Sequence, residues 1–219
     1  MLAIEGFEWA RDAVPSTGVE MLRVEAGRLA AEEPAAAHGI RDLIRKSRVV
    51  REALSEPWLL DLVPSGHACV RGILFDKTPD ANWLVAWHQD LTVCVQERSE
   101  VEGYGPWSVK HGVPHVQPPV ELLAEMVTLR LHLDLTHAGN GALRVIPRSH
   151  REGRLDAAQI KAQQEKAQVV CEARAGDVLL MKPLLLHASS KAEAPGHRRV
   201  VHLEFAPRAA LAPGLSWHE

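Results

Sequence analysis

The pattern of apolar and polar positions changes near residue 66. Before it the spacing is helical: Val19–Ala31 sets Val19, Leu22, Leu29 and Ala30 on one face, and Pro34 ends the run. Residues 39–55 repeat the pattern with Ile40, Leu43, Ile44, Val50 and Leu54 as the stripe, closed by Pro57. Pro64-Ser65-Gly66 is a turn. Beyond it the apolar runs shorten and become rich in aliphatic and β-branched residues. His67–Phe75, Trp83–Trp87, Leu91–Gln96, Val127–Asp134, Ala142–Ile146, Val169–Ala173, Val178–Met181 and Val200–Phe205 read as strands, with a polar helix at Ala157–Lys166. Many short strands with turns between them predict a sandwich, jelly roll or barrel rather than a parallel α/β sheet. Arg98–Pro119 shows no clear periodicity and reads as a long loop; its Tyr104, Trp107 and His111 would suit a lid.

Composition narrows the function classes. A chain of 219 residues, 46% hydrophobic and 24% charged, suits one domain with a real core. The net charge of -3 and the interleaving of Arg41–Arg51 with Leu43, Ile44, Val49 and Val50 make those cations the wet face of a helix, so no nucleic-acid partner is expected. No signal peptide and no stretch of membrane-spanning length is visible, so no membrane partner is expected either. Cys69, Cys94 and Cys171 are odd in number and far apart, which argues for a reducing, cytoplasmic setting. The oligomeric state is not readable.

Twelve histidines turn attention to metal chemistry. In His88-Gln89-Asp90 at a strand end, alternation points the imidazole and the carboxylate the same way, while Gln89 points away. His187, after the apolar stretch Val178–Leu186, is the best third ligand. Two histidines and a carboxylate form the facial triad of non-haem Fe(II) oxygenases, which leaves metal positions open. Arg198, eleven positions on, could fix the distal carboxylate of a dicarboxylate co-substrate through its planar fork, with Ser189 adding a hydroxyl. Arg199 competes for that place, since alternation puts only one of the two inside.

Three segments together resemble the phytanoyl-CoA dioxygenase family. They are Trp87-His88-Gln89-Asp90, the run Asn140-Gly141-Ala142-Leu143-Arg144-Val145-Ile146-Pro147 with Ser149-His150, and Gly176-Asp177 through His187, Ser189 and Arg198. The resemblance spans about residues 67–206. It implies a mainly β fold, a double-stranded β-helix (jelly-roll) core with N-terminal helices (1–64) packed outside, in one oxygenase domain over 1–219. It implies Fe(II), 2-oxoglutarate and O2, with succinate and CO2 as co-products. Carried over, His88, Asp90 and His187 would hold iron, and Ser189 and Arg198 the co-substrate. Arg130 stands where the family often has an aromatic, and would meet a carboxylate or sit in a buried ion pair. A retained Asp90 favours hydroxylation, because halogenating relatives give up this carboxylate. Arg148 replaces a glycine of the family pattern, which would alter a turn.

The expected substrate is a small-molecule metabolite, since no concentrated basic surface suits a CoA phosphate. Trp107 is a candidate substrate contact; Lys77 either reaches an anionic substrate or lies in solvent. Two other readings use the same fold. A cupin-like metal enzyme without 2-oxoglutarate would be indifferent to Arg198→Ala, and a non-catalytic ligand-binding jelly roll would turn nothing over.

Overall fold

The structure, a computed structural model, describes residues 1–34, 36 and 39–218; His38 lies outside them. The chain opens with α1 (Leu2–Glu5), β1 (Phe7–Ala10), α2 (Ser16–Glu32), β2 (Ile40–Arg41), α3 (Leu43–Lys46), α4 (Arg48–Ala53) and α5 (Pro57–Leu60). The strand-rich part follows: β3 (His67–Lys77), β4 (Val85–His88), β5 (Val93–Cys94), β6 (Trp107–Lys110), β7 (Val113–Val116), α6 (Val120–Glu125) and β8 (Val127–His132). It ends with β9 (Leu143–Val145), α7 (Ala157–Gln163), β10 (Val169–Cys171), β11 (Val178–Met181), β12 (His187–Ser189) and β13 (Arg198–Pro207). All paired strands are antiparallel. They form a large sheet in the order β1-β11-β8-β13-β3-β2, a smaller one in the order β10-β9-β12-β4, and a third in the order β5-β7-β6. This is the expected mainly β jelly roll.

Side-chain alternation on the large sheet separates packing from chemistry. On β8, Leu129, Leu131 and the following Leu133 join Val201, Leu203 and Phe205 of β13 and Leu74 of β3 in one apolar layer. Helix α2 covers it with Val19, Leu22, Ala26 and Leu29, a stripe at helical spacing; Ala30 falls on its wet side. The alternate residues point into the roll, and many of them are polar: Arg130 and His132 on β8, Arg198, His202 and Glu204 on β13, Lys77 on β3, all buried. The helical layer therefore stabilises the sheet from outside. Its inner face is left for polar groups, which need partners or a ligand.

Three stretches depart from the sequence expectation. Residues 39–55 are not one helix. Asp42 takes a left-handed conformation (φ 58°) after β2, and the Ser47 hydroxyl accepts the Val50 N–H at 3.0 Å, capping α4 and breaking it from α3. The N-terminal part also supplies strands: Phe7 and Trp9 of β1 pack with Leu179 and Met181 of β11. Finally, Arg98–Pro119 contains the β6–β7 hairpin. Its turn residues His111 (φ 51°) and Gly112 (φ 80°) both have positive φ, as the tight hairpin turn requires. Among the described residues no helix is long and apolar enough to cross a membrane.

Candidate active site

His88 closes β4, and His187 opens β12 directly opposite it in the antiparallel pairing. Their rings lie 4.2 Å apart, centroid to centroid. Asp90 completes the cluster: its two oxygens lie 3.7 Å from His88 Nε2 and 3.6 Å from His187 Nε2. One ligand atom from each residue falls within 4.8 Å of the others, as donors around one ion would. Each imidazole is oriented from behind. His88 Nδ1 lies 2.8 Å from the Ala86 carbonyl and His187 Nδ1 2.8 Å from that of Leu185, so Nδ1 carries the proton and Nε2 presents a lone pair. Burial pushes the His187 imidazole down to about 3, which keeps it neutral at pH 7. Burial works to raise the Asp90 carboxyl, but the neighbouring imidazoles and Arg71 hold it below its ordinary value; with His187 neutral, the permanent charge is that of Arg71. Asp90 Oδ2 is buried without a hydrogen-bond donor among the described residues. A buried acceptor left open between two imidazole lone pairs fits a cation.

The motifs around the cluster act as its frame. Gln89 points away and donates to the carbonyls of Gly153 (2.8 Å) and Leu184 (2.6 Å) while accepting the Leu155 N–H at 2.8 Å. The Ser149 hydroxyl donates to the Ile146 carbonyl and accepts the Leu186 N–H, both at 2.8 Å, which anchors the residue before His187. Arg148 takes the left-handed backbone a glycine would hold (φ 68°), and its guanidinium grips Glu5, with Nη2 at 2.8 Å. Asp177 clamps the chain start, accepting the N–H groups of Asp12 (3.0 Å) and Arg174 (2.9 Å).

A cavity of about 380 Å³ opens from the triad into the roll. At its closed end Arg198 is only 3% exposed and its Nε has no partner among the described residues. Burial, then the charge of Arg130, bring Arg198 down to about 10, so it stays cationic. The open choice is decided by alternation: Arg199 faces outward and forks onto Asp134, with both N···O distances 2.8 Å. Ser189 lines the same end, donating to the Gly141 carbonyl at 3.0 Å. Lys77 is neither in solvent nor at the rim. It is 1% exposed, opposite Arg198 in the β3–β13 pairing, and donates to Ser189 Oγ at 2.8 Å and to the Ser190 carbonyl. The Asn140-Gly141 motif has its reason here. A Cβ on Gly141 (φ 79°) would stand 2.6 Å from the Ser190 carbonyl oxygen and 2.7 Å from Lys77 Nζ.

Arg130 lines the cavity too, with Nη1 3.0 Å from His202 Nδ1 and its charge 5.6 Å from the Phe75 ring centre. Its neighbour is a histidine rather than an acid. A relay continues from His202 Nε2 to Glu204 (3.1 Å) and from Glu204 to Arg71 (3.1 Å). His132 is buried, but it turns to Thr136 (3.0 Å) and does not line the cavity. Trp107 also lies elsewhere, packed with the apolar cluster of Val93, Val116 and Leu123; Lys110, from the same hairpin, is the residue that reaches the cavity. Arg41, Arg71, Lys110, His202 and Glu204 were missed by sequence reasoning. Alternation along Arg198–Pro207 places His202 and Glu204 on the Arg198 face, so those two had a signal. Arg41 and Lys110 come from segments read as a helix face and a loop.

The phytanoyl-CoA dioxygenase (PhyH) family model matches residues 6–200. No curated protein sequence matches the chain. Among solved structures, HygX from Streptomyces hygroscopicus with nickel and 2-oxoglutarate bound aligns at TM-score 0.66 and 18% identity, over 95% of this chain and 85% of that one. AviO1 from Streptomyces viridochromogenes Tue57 aligns at TM-score 0.69 and 20% identity, over 96% and 94%. The epimerase SnoN, in complex with Fe3+, α-ketoglutarate and nogalamycin RO, aligns at TM-score 0.69 and 16% identity, over 94% and 80%. At these identities the likeness is one of fold, whereas the family match covers most of the chain. The chain belongs to the phytanoyl-CoA dioxygenase family, the iron- and 2-oxoglutarate-dependent oxygenases that its motifs resemble.

Proposed function

We propose that the chain is an Fe(II)- and 2-oxoglutarate-dependent dioxygenase that hydroxylates an unactivated C–H bond of a small-molecule metabolite. The observation that carries this reading is one cavity joining the His88–Asp90–His187 cluster to a buried Arg198 whose Nε has no partner among the described residues. His88, Asp90 and His187 would hold the iron. Arg198 would take the distal carboxylate of 2-oxoglutarate in its planar fork, with Ser189 beside it and Arg130 and Lys77 adding positive charge. When bound, the metal with 2-oxoglutarate and O2 supplies C–H oxidation with release of succinate and CO2.

The chain's own work is positioning and exclusion. The Ala86 and Leu185 carbonyls hold both imidazoles in the ligating tautomer. Gln89 and Ser149 lock the segments that bear the ligands. Buried apolar neighbours such as Leu143 help keep bulk water from the inner end.

Succinate formation from 2-oxoglutarate by purified protein with Fe(II), ascorbate and air, compared with His187→Ala, tests the class. Turnover that vanishes in the variant supports it; absence of both turnover and 2-oxoglutarate binding points to a metal enzyme without this co-substrate. The name of SnoN carries a second outcome for such a site, epimerisation. Once a substrate is found, 18O from O2 appearing in the product separates hydroxylation from epimerisation.

A further inference from the structure

The triad cavity carries more positive charge than its proposed contents neutralise. Among the described residues six cationic side chains line it, Arg41, Arg71, Lys77, Lys110, Arg130 and Arg198, against two carboxylates, Asp90 and Glu204. A divalent metal and a dianionic co-substrate cancel each other, so the excess would persist with both bound. Three of the cations have assigned surroundings at the closed end: Arg198, Lys77 and Arg130. Arg71 is tied to Glu204 at 3.1 Å. Arg41 and Lys110 remain, and neither side chain has a hydrogen bond or ion pair among the described residues.

These two stand at a junction. A second cavity, of about 570 Å³, adjoins the first, and Arg41, Arg71, Ile73 and Lys110 line both. Ile44, Val70, Ile73 and Val113 give it an aliphatic stretch of wall among charged residues. Two of the acids lining it are engaged, Glu33 with Lys46 and Glu32 with Arg28, both at 2.6 Å, and the third, Asp42, has Arg45 at 3.9 Å. Arg41 sits on β2 beside Ile73, and Lys110 at the end of β6 beside the hairpin turn, so two distant segments bring their cations to the one passage. Burial and mutual repulsion lower the pKa of both groups: Arg71 acts on each, and Arg41 on Lys110. A bound anion would relieve that repulsion.

We propose that the outer cavity is the substrate chamber and that the substrate is an organic anion. Its aliphatic body lies along Ile44, Val70, Ile73 and Val113, and its carboxylate or phosphate is held by Arg41 and Lys110 at the passage, with Arg71 behind them. The planar fork of Arg41 suits either oxyanion. The role as substrate rests on the dioxygenase reading, whereas the binding of an anion does not.

The test is calorimetry on protein loaded with Ni(II) and saturating 2-oxoglutarate, titrated with octanoate, octyl phosphate and the neutral isostere octanamide. An anionic probe is expected to bind about tenfold or more tightly than octanamide, and Arg41→Met and Lys110→Met are each expected to weaken it by about tenfold. The preferred anion assigns the head group. Arg41→Lys should recover part of the loss, which a merely structural role would not predict. Because Lys110 is exposed, its variant carries the test if Arg41→Met does not fold. Octanamide binding as well as both anions, or both Met variants matching wild type, would overturn the proposal. Failure of 2-oxoglutarate to bind the nickel-loaded protein would instead count against the dioxygenase reading, and the anion titration can then be run on the metal-free protein.

Discussion

Arg198→Ala should uncouple the stability of the fold from the co-substrate. In the absence of ligand the Arg198 guanidinium is 3% exposed, its Nε has no partner, and Arg130 repels it. That charge costs the empty protein stability, so its removal should leave the melting temperature unchanged or raise it. Binding is the opposite case. Truncating one member of a buried, hydrogen-bonded charge pair costs about 2–5 kcal/mol, or roughly 30- to several-thousand-fold in affinity. Wild-type protein with Ni(II) and 2-oxoglutarate at about a hundred times its Kd should gain about 2.7 kcal/mol against unfolding, and the variant about 0.9 kcal/mol or less. Differential scanning fluorimetry with and without co-substrate, and calorimetry for Kd, read both halves. Arg199→Ala is the control. It loses the outward fork to Asp134, so stability should drop while co-substrate affinity holds. Retention of wild-type affinity within about threefold by Arg198→Ala would refute the assignment of this residue to the co-substrate and favour a metal enzyme of another kind.

Three further outcomes follow from the same geometry. Asp90→Asn removes the only carboxylate of the triad, and should weaken Ni(II) or Mn(II) binding by at least about a hundredfold without lowering the melting temperature of the metal-free protein, because Oδ2 has no donor to lose; unchanged metal affinity would sink the triad. Gln89→Ala deletes three hydrogen bonds, two of them buried, and should cost about 2–4 kcal/mol in urea denaturation, through the frame of the site rather than through metal contact. Burial, with Arg198 and Arg130, brings Lys77 down to about 8 from 10.5. The unfolded chain then holds the extra proton between those values, so Lys77 makes stability rise with pH across that window and lowers it below. Lys77→Met should flatten that rise, and 2-oxoglutarate affinity should fall as the pH climbs past 8 in wild type but not in the variant.

Local pattern settled much of the architecture and pointed to the candidate metal-binding motif. Helix α2, most strands and the inward-facing pair His88 and Asp90 follow from periodicity, because burial on one face imposes a period on the side chains of a helix or strand. The β6–β7 hairpin was legible only in retrospect, from the His111-Gly112 turn between Trp107–Lys110 and Val113–Val116. The break between α3 and α4 was hidden because Ser47 competes for the backbone through one hydroxyl, while the apolar stripe runs on. Distance in the sequence says nothing about which face meets which. That His187 lies opposite His88, that Arg198 rather than Arg199 turns inward, and that Lys77 is buried under Ser189 are consequences of strand register. The junction of the two cavities is wholly tertiary: Arg41 and Lys110 are polar residues in unremarkable segments, and only the fold brings an edge strand and a hairpin to line the same two cavities.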